Sequence, residues 1–400
     1  MDLPLDYPTL AETLRILDTL AGVDRAQWNA LAQGNPTLAY EFLTALHDSG
    51  CASAKTGWAP QYLTAWDGDQ LAGAVPLYVK SHSYGEFIFD WAWADAYERN
   101  GLQYYPKLLA AVPFTPATGA RLLSRDADVR KLLARALLET SRAAPVSSLH
   151  VLFPSAEDAQ ALRAAGLMER SSVQFHWRNA GYSTFEQFLG ELSHDKRKKI
   201  RQERRRVADA GVTMRRLTAR EATSADWDFF TSCYRRTYRE HGSTPYLTRA
   251  FFGLLAERMP DNVLLVIADR EGKPVASALD IFGGGALYGR YWGAMDFVPG
   301  LHFEACYYQG VEFCIERGIA LFEGGAQGEH KHARGFLPVA TRSFHWLAHP
   351  AFERAIDDYL SREGSHISSY VDELNERSPF KTKAEHEGHK EGTKNTKKSD

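Results

Sequence analysis

The segment NVLLVIADREGKPVASALDIF (Asn262–Phe282) has the pattern of two strands joined by a tight turn. Two apolar runs flank the polar tetrapeptide Arg270–Lys273, which contains a glycine. Apolar runs separated by a few polar, glycine-containing residues predict a β-hairpin. This hairpin therefore marks the centre of a predicted sheet, and the neighbouring elements can be assigned outward from it.

The elements on either side of the hairpin follow from hydrophobic periodicity and from capping signals. In chain order the sequence predicts a strand at Val212–Leu217, helices at Ala225–Glu240 and Thr248–Met259, the hairpin, a strand at Ala286–Met295, a helix at His302–Arg317, strands at Ile319–Gly325 and Thr341–Leu347, and a helix at Ala351–Leu360. This order resembles that of the GNAT acyltransferase fold. In that fold two neighbouring strands splay apart and an acyl donor lies in the gap.

The first half of the chain contains a similar hairpin at Tyr62–Lys80. AWDGDQLAGAVPLYV in the first half and IADREGKPVASALDI in the second share one pattern, which indicates an internal duplication. We also predict a strand at Glu86–Trp91 (EFIFDW) and a closing strand at Ser171–Trp177 (SSVQFHW). The fold class that follows is α/β (α+β), with tandem GNAT-like domains, each a mixed, mostly antiparallel central sheet flanked by helices.

We predict four regions along the chain. An N-terminal GNAT-like domain occupies residues 1–180, a basic connecting helix residues 181–211, and a C-terminal GNAT-like domain residues 212–377. Residues 378–400 are rich in Lys, Glu, Gly and Thr with few apolar residues, which predicts a disordered tail. His386 and His389 of that tail are a weak candidate metal pair, and solvated side chains are the better interpretation.

Composition restricts the class of protein. The net charge of −3 and the charged fraction of 24% indicate an ordinary globular chain without the overall basic charge of a DNA-binding protein. No apolar run is long enough to span a bilayer, and the acidic N-terminus lacks a signal-peptide pattern. The four cysteines show no CxxC spacing. We therefore expect a cytoplasmic protein with no transmembrane segment and no DNA partner.

An aromatic-rich stretch at Lys80–Leu123 is the first candidate site. It combines carboxylates, tyrosines and a lysine with tryptophans and prolines, the usual make-up of a small-molecule pocket. Packing of a rigid loop is the competing interpretation. The residues predicted to contact substrate are Asp90, Asp95, Tyr105 and Lys107.

A strongly basic helix at His194–Arg206 is the second candidate site. It holds eight Lys or Arg residues and two acidic residues among thirteen. Like charges one turn apart repel each other by a few tenths of a kcal/mol, so such a helix is expected to meet an anion. Lys198, Arg201 and Arg205 are the predicted anion-binding residues, with CoA phosphates, tRNA or an anionic acceptor as candidates. A solvated helix face is the alternative.

The densest group of polar residues follows the predicted strands of the second half. Transfer to an amine needs a base for the proton and a donor for the developing oxyanion. Glu323 or His330 suits the first role, and Lys331 and Arg334 suit the second. Tyr291, His302 and Glu304 are predicted to contact substrate. Glu329, His330 and His332 lack a further ligand at suitable spacing, so no metal site is predicted.

These segments resemble a family of predicted N-acyltransferases labelled FemAB-like or "peptidoglycan biosynthesis" proteins. The likeness rests on SHSYGEFIFDWAWADAYERNGLQYYPKL, VPFTPATGARLL, ALYGRYWGAMDFVPGLHFEACYYQG and FEGGAQGEHKHARGF, and it spans about Thr37 to His366. It implies a double GNAT architecture like that of the Fem transferases, which move amino acids from aminoacyl-tRNA onto peptidoglycan precursors. It also implies that Lys331 matches the Fem lysine, and that Asp90 or Asp95 matches their acidic residue in the first half.

One departure from ordinary GNAT enzymes concerns the acyl donor. Those enzymes carry Gln/Arg-x-x-Gly-x-Gly/Ala, whose backbone amides hold the CoA pyrophosphate at a helix N-terminus. AMDFVPGLHFEAC, the matching stretch here, lacks that spacing. This departure leaves the identity of the donor open. The element order and the family resemblance together imply an N-acyltransferase that moves an activated acyl group onto a primary amine. Its donor is acyl-CoA or another thioester, with no tightly bound cofactor, and the acceptor is a small molecule, a peptide or a cell-wall precursor. The alternatives are aminoacyl-tRNA as donor and a non-catalytic ligand-binding protein.

Overall fold

A computed structural model describes residues 13–325 and 328–381 of the chain. The strands are β1 (Thr13–Leu17), β2 (Trp58–Pro60), β3 (Tyr62–Asp67), β4 (Gln70–Val75), β5 (Leu77–Lys80), β6 (Lys107–Ala110), β7 (Leu123–Ser124), β8 (Ser148–Leu152), β9 (Met168–Arg178), β10 (Val212–Thr218), β11 (Val263–Arg270), β12 (Lys273–Gly283), β13 (Ala286–Ala294), β14 (Leu321–Glu323) and β15 (Leu337–Leu347).

Helices cover both faces of the strands. They are α1 (Arg25–Ala32), α2 (Tyr40–Asp48), α3 (Trp91–Arg99), α4 (Ala127–Ala143), α5 (Ala156–Ala164), α6 (Phe185–Glu191), α7 (His194–Asp209), α8 (Ser224–Glu240), α9 (Arg249–Arg258), α10 (Leu301–Phe303), α11 (Gln309–Arg317) and α12 (Pro350–Glu376), with a π-helical turn at Glu304–Tyr308 and a 3-10 helix at Glu329–Arg334.

Within the described residues the strands form an eleven-stranded sheet and a four-stranded sheet. The larger sheet has the order β10-β11-β12-β13-β14-β9-β15-β8-β6-β5-β2, and the smaller one β1-β3-β4-β7. The pairs β13/β14 and β6/β8 are parallel, and the other paired strands are antiparallel. Each half of the chain therefore contains one parallel pair in a mostly antiparallel sheet.

The two hairpins identified in the sequence have the same register. In the first, Ala65 pairs with Gly73 and, after a bulge, Trp66 pairs with Leu71. In the second, Ala268 pairs with Ala276 and, after a bulge, Asp269 pairs with Pro274. The bulge thus lies at the same place before both turns. Agreement of register and bulge supports the internal duplication predicted from the sequence.

The last strand of each half lies beside a strand of the other half. β9, predicted as the closing strand of the first half, lies between β14 and β15 of the second half. β15, the closing strand of the second half, pairs with β8 of the first. The central order β8-β15-β9-β14 therefore joins both halves into one sheet, and the pairing of β9 with β15 runs from Leu337 to His345 on β15.

The hairpin of the second half is buried on both faces, as its near-continuous apolar sequence requires. Leu265 and Ile267 of β11 pack with Trp227 and Phe251 of α8 and α9. Leu264 and Val266 of the same strand pack against the opposite layer, which contains the π-helical turn. β11 and β12 therefore form a rigid base beneath that turn.

The strand predicted at Glu86–Trp91 is wrong, because this segment is a loop that leads into α3. Burial alternates along it as in a strand, but the pattern is inverted: Glu86 and Asp90 are buried whereas Phe89 is exposed. The reason is that both carboxylates contact Lys107, the first residue of β6. Pairing with this buried cation replaces the apolar contacts that the aromatic pattern predicted.

The predicted disordered tail begins in residues that the structure describes. Phe380 forms a β-bridge with Leu192, and the backbone N–H of Lys381 donates to the carbonyl of Glu191. Residues 379–381 therefore pack against the end of α6 and the short link to α7. Residues 382–400, with His386 and His389, lie outside the described residues.

Candidate active site

Strands β13 and β14 run side by side for a short distance and then separate. Ala286–Tyr288 pairs in parallel with Leu321–Glu323. Beyond these residues β13 continues alongside β12, whereas β14 ends. A cavity of about 330 Å³ opens where the strands part, and we call it the split cavity. Its wall consists of Phe87, Phe89, Ala278, Asp280, Gly289, Arg290, Tyr291, Trp292, His302, Cys306, Tyr307, Gly324, Gly325 and Lys331.

Three residues predicted from the sequence lie together in this wall: Tyr291, His302 and Lys331. The hydroxyl of Tyr291 donates a hydrogen bond of 3.1 Å to the carbonyl of Phe114. The imidazole of His302 contacts the ring of Trp292, with 5.3 Å between ring centroids. Burial lowers the pKa of His302 to about 4, so this side chain is neutral at pH 7.

The ammonium group of Lys331 lies beside the residues that follow β14, Gly324 and Gly325. Lys331 lies on the 3-10 helix, is 3% exposed, and donates to the carbonyl of Gly325 at 3.0 Å. Burial lowers its pKa to about 8, with a smaller opposing effect from the thiol of Cys306. A lysine with one backbone partner in a buried cavity can still donate to an anionic ligand.

Asp280 is a wall residue that sequence reasoning missed. It lies on β12, opposite Gly289 of β13, where the register of the two strands shifts. Asp280 is 2% exposed, and its Oδ2 has no hydrogen-bond partner among the described residues. A Cβ at position 289 would lie 3.6 Å from Oδ1 of Asp280, in van der Waals contact, so glycine leaves space beside the carboxyl.

The π-helical turn at Glu304–Tyr308 forms another part of the wall. Such turns are rare and often occur at functional sites, because the extra residue redirects side chains. Here the turn places Cys306 and Tyr307 in the wall with Asp280 and Lys331. Burial raises the pKa of the Cys306 thiol, and the nearby carboxyl of Asp280 raises it further. Cys306 is therefore a protonated thiol in this arrangement.

A family model described as peptidoglycan biosynthesis/recognition matches residues 19–382. The chain belongs to the FemAB-like family. Membership supports a transferase with a role related to peptidoglycan, as the sequence motifs implied. No curated protein sequence matches the chain.

Solved structures show the fold of this FemAB-like chain. The crystal structure of FemX superposes with a TM-score of 0.53 at 10% identity, covering 84% of this chain and 98% of FemX. L-PGS from Bacillus licheniformis gives 0.48 at 10% identity, covering 87% and 98%. A tandem GNAT protein from the clavulanic acid biosynthesis pathway gives 0.43 at 12%, covering 85% and 99%. The FemX superposition and the similar order of elements in the two halves confirm the predicted fold class, α/β with tandem GNAT-like halves.

The described part of the FemAB-like chain was compared with the requirements of a membrane-spanning helix and of a metal site. Among the described helices, none combines the length and the apolar character that crossing a bilayer requires. The described residues also contain no group of three or more His, Cys, Asp or Glu side chains arranged to hold a metal ion.

Glu323 and His330, the two predicted bases, lie outside the wall of the split cavity. Glu323 ends β14, and its carboxylate accepts a 3.1 Å hydrogen bond from the backbone N–H of Thr118. Burial raises the pKa of Glu323 to about 7. Nε2 of His330 lies 3.0 Å from the hydroxyl of Tyr307, on the solvent side of the 3-10 helix. Their role as bases stays a prediction.

Arg334 and Glu304 are engaged in ion pairs with α7. Arg334 donates to Glu203 at 2.6 Å and to the hydroxyl of Tyr308 at 3.1 Å. Glu304 accepts two 3.0 Å hydrogen bonds from Arg204. Neither residue belongs to the cavity wall, so the structure gives both of them a role in holding α7 against the site.

The residues predicted in the first half divide into a buried cluster and an exposed one. Nζ of Lys107 lies 2.5 Å from the carboxylate of Asp90 and 2.7 Å from the hydroxyl of Ser83, which in turn lies 2.8 Å from the hydroxyl of Tyr105. Asp95 is exposed on α3 and pairs with Arg99. The structure brings Asp90, Lys107 and Tyr105 together, but none of the three belongs to the wall of the split cavity.

The predicted anion-binding residues lie on the outer side of α7. Ile200, Glu203 and Val207 are buried toward the protein, whereas Lys198, Arg201 and Arg205 are exposed. Arg201 pairs with Glu186 at the surface. α7 packs against α10, the π-helical turn and the 3-10 helix, which together carry four residues of the cavity wall. The basic surface is therefore separated from the cavity by a single layer of structure.

Proposed function

We propose that this FemAB-like protein is an N-acyltransferase that moves an activated acyl group onto a primary amine in the split cavity. The observation that carries the proposal is the buried ammonium of Lys331 at the point where β13 and β14 part. A fixed cation in a low-dielectric cavity stabilises negative charge that develops on the acyl oxygen, or the charge of a phosphate on the donor. Because the cation is already in place, the site needs no reorganisation when the reaction occurs.

The second half of the chain carries the proposed reaction. In the first half the matching parallel pair is β6 and β8, and the residues that follow these strands fill the space beyond them. Val112, Phe114 and Phe153 are each at most 2% exposed and belong to one hydrophobic cluster. An acyl chain would have to displace these side chains, whereas the split cavity is open.

A donor that carries phosphate groups fits the basic outer side of α7. Acyl-CoA is the first candidate and would act as a co-substrate. The start of α10 is covered by α7, because a Cβ on Gly300 would lie 3.3 Å from the carbonyl oxygen of Glu203 and Leu301 is 1% exposed. Phosphates would therefore lie along α7, on Lys198, Arg201 and Arg205, more readily than at the helix N-terminus used by ordinary GNAT enzymes.

Aminoacyl-tRNA is the second candidate donor, and the length of the basic surface favours it. The exposed cations extend over about two helical turns, from Lys198 to Arg206, which exceeds the length of a diphosphate. An RNA backbone presents phosphates over that length. With RNA bound there, the rate of acyl transfer would fall steeply as the salt concentration rises. FemX, whose fold this chain shares, gives a direct comparison for such an assay.

The test is a transfer assay with purified protein, a panel of acyl-CoA thioesters, a mixture of charged tRNAs, and alkylamines as acceptors. Lys331→Ala should lower turnover at least 100-fold, the scale measured for loss of one donor to an oxyanion. Lys331→Arg should retain part of the rate, and Lys131→Ala, which changes an exposed lysine, should retain all of it. RNase treatment separates the two donors. Wild-type turnover in Lys331→Ala would overturn the role of Lys331, and absence of product with every donor would overturn the proposed function.

A further inference from the structure

The carboxyl of Asp280 is a polar group that the proposed reaction does not yet use. It belongs to the wall of the split cavity, is 2% exposed, and its Oδ2 has no hydrogen-bond partner among the described residues. A buried carboxyl oxygen without a partner costs free energy, and a catalytic role or a bound ligand is one explanation for keeping it. Asp280 is the acidic side chain of the cavity wall.

The surroundings of Asp280 restrict the ligand to a small cationic group on an apolar stem. Aromatic rings of Tyr291, Trp292 and Tyr307 form much of the remaining wall. Such rings pack against alkyl chains and also attract a cation at their faces. Lys331 lies in the same wall, but no ion pair within 4.0 Å joins it to Asp280 among the described residues. The carboxyl and the ammonium are therefore free to bind different parts of the reactants.

Charged and titratable groups face Asp280 from three neighbouring elements. Arg290 approaches from β13 and lowers the pKa of the carboxyl. Cys306 and Tyr307 face it from the π-helical turn, and Cys314 from α11. Burial is the dominant effect and raises the pKa of Asp280. Low polarity favours the neutral forms of both an amine and a carboxyl, so it favours proton transfer from a bound ammonium to Asp280.

We propose that Asp280 binds the ammonium group of the acceptor and takes the proton that must leave before the amine can attack. This inference rests on the proposed N-acyl transfer and names its acceptor class: a primary alkylammonium whose stem is apolar near the nitrogen. Asp280 is then a catalytic residue that also determines specificity. Lys331, which is not paired with Asp280, is then available to the acyl donor.

The acceptor enters as R–NH₃⁺, whose charge together with that of Arg290 favours the ionised form of Asp280, and one proton then passes from nitrogen to the carboxylate. The neutral amine forms a C–N bond with the donor carbonyl, the bond from that carbon to sulfur or oxygen of the donor breaks, and the leaving group takes a second proton from nitrogen. The products are an amide and a thiol or alcohol, and Asp280 returns its proton to water.

The binding part is tested without any donor. Calorimetric titration of the wild-type protein with n-hexylamine and with 1-hexanol compares a cationic probe with a neutral one of the same length. We expect the amine to bind at least tenfold more tightly, and Asp280→Asn to remove that preference while the affinity for 1-hexanol stays unchanged. Asp269→Asn is the matched control, because Asp269 lies on the adjacent strand and already pairs with Arg215.

The proton-acceptor part is tested by transfer to two nucleophiles. With hexylamine, Asp280→Asn should lower kcat/KM at least 100-fold, whereas with an alkoxyamine, which is uncharged at neutral pH, the loss should be tenfold smaller or less. An equal loss for both nucleophiles would overturn the proton-acceptor role. Equal binding of amine and alcohol, or unchanged binding in Asp280→Asn, would overturn the inference as a whole. Amine binding that depends on Asp280 but yields no product with any donor would overturn the proposed function and leave the cation site in place.

Discussion

Arg334 and Glu203 form an ion pair that holds α7 to the 3-10 helix, and its removal distinguishes a structural arginine from a catalytic one. The side chain of Arg334 is 3% exposed, that of Glu203 10%, and their closest nitrogen–oxygen distance is 2.6 Å. The guanidinium also lies 3.3 Å above the ring centre of Phe303. The sequence predicted that Arg334 stabilises developing negative charge. The structure instead gives each of its nitrogens a partner within the protein.

The expected loss in the free energy of unfolding follows because each single variant leaves one charge buried without its partner. Arg334→Met keeps much of the apolar volume but leaves the carboxylate of Glu203 with the hydroxyl of Tyr308 as its remaining contact. Loss of one member of a buried pair costs about 3–5 kcal/mol. Glu203→Gln should also destabilise, since it leaves the guanidinium without a counter-charge. The double variant Glu203→Gln/Arg334→Met removes both charges, so its loss should be smaller than the sum of the single losses by about 1 kcal/mol or more.

The assay is urea unfolding of the wild type, both single variants and the double variant, followed by fluorescence and circular dichroism. The four free energies of unfolding give the coupling energy directly. A coupling energy near zero, or a stable Arg334→Met protein that transfers no acyl group, would refute the reasoning. That second result would return Arg334 to the catalytic role predicted from sequence.

Three further predictions concern buried charges. Lys107→Met should lower the free energy of unfolding in urea by about 3–5 kcal/mol, because the carboxylate of Asp90 loses its cation and that of Glu86 keeps Lys80, 3.8 Å away, as its remaining cation; a loss below 1 kcal/mol would show that the cluster relaxes. Asp280→Leu should raise the free energy of unfolding by about 1–3 kcal/mol, because it removes an unsatisfied carboxyl and the adjacent cavity has room for the larger side chain. A decrease in the free energy of unfolding would indicate that Asp280 has a partner. Burial raises the pKa of Glu323 to about 7, so the folded protein binds this proton more tightly than the unfolded chain does. The contribution of Glu323 is then fully present below pH 4.5 and lost as pH rises through 7. The stability of the wild type relative to Glu323→Gln should fall by roughly 3 kcal/mol between pH 4 and pH 8, and a difference that is independent of pH would contradict this.

Much of the fold could be predicted from local sequence. The two hairpins were predicted because apolar runs and a polar turn determine strand pairing at short range, and even the shared bulge lies within that range. The exchange of β9 and β15 between the halves could not be predicted, because it depends on which strand edges remain open after each half has folded. The segment Glu86–Trp91 was misassigned because its alternating aromatics imitate a strand, whereas burial of its carboxylates depends on the distant Lys107.

The site was predictable where polar residues cluster after a strand. Lys331, Tyr291 and His302 stand in glycine-rich or aromatic segments, and the structure places all three in one wall. Asp280 gave a weaker signal: a single acid inside the apolar run VASALDIF, where a strand buried on both faces should carry none. Cys306 could not be found from sequence, because the π-helical turn that directs it into the cavity has no clear sequence pattern.

The two similar halves of the described chain each contain a pair of parallel strands. Buried side chains fill the space beyond that pair in the first half, whereas a cavity remains beyond it in the second. Residues after β6 and β8 fill the first split, and the loop after β6 also supports the second: the carbonyl of Phe114 accepts from Tyr291, and the N–H of Thr118 donates to Glu323. The loop before α3 adds Phe87 and Phe89 to the wall. The first half thus supplies part of the wall and the support for residues whose reactive groups all come from the second half. Residues 181–381 alone would lack β9 between β14 and β15 as well as these wall residues, so the site belongs to the complete tandem and not to either half.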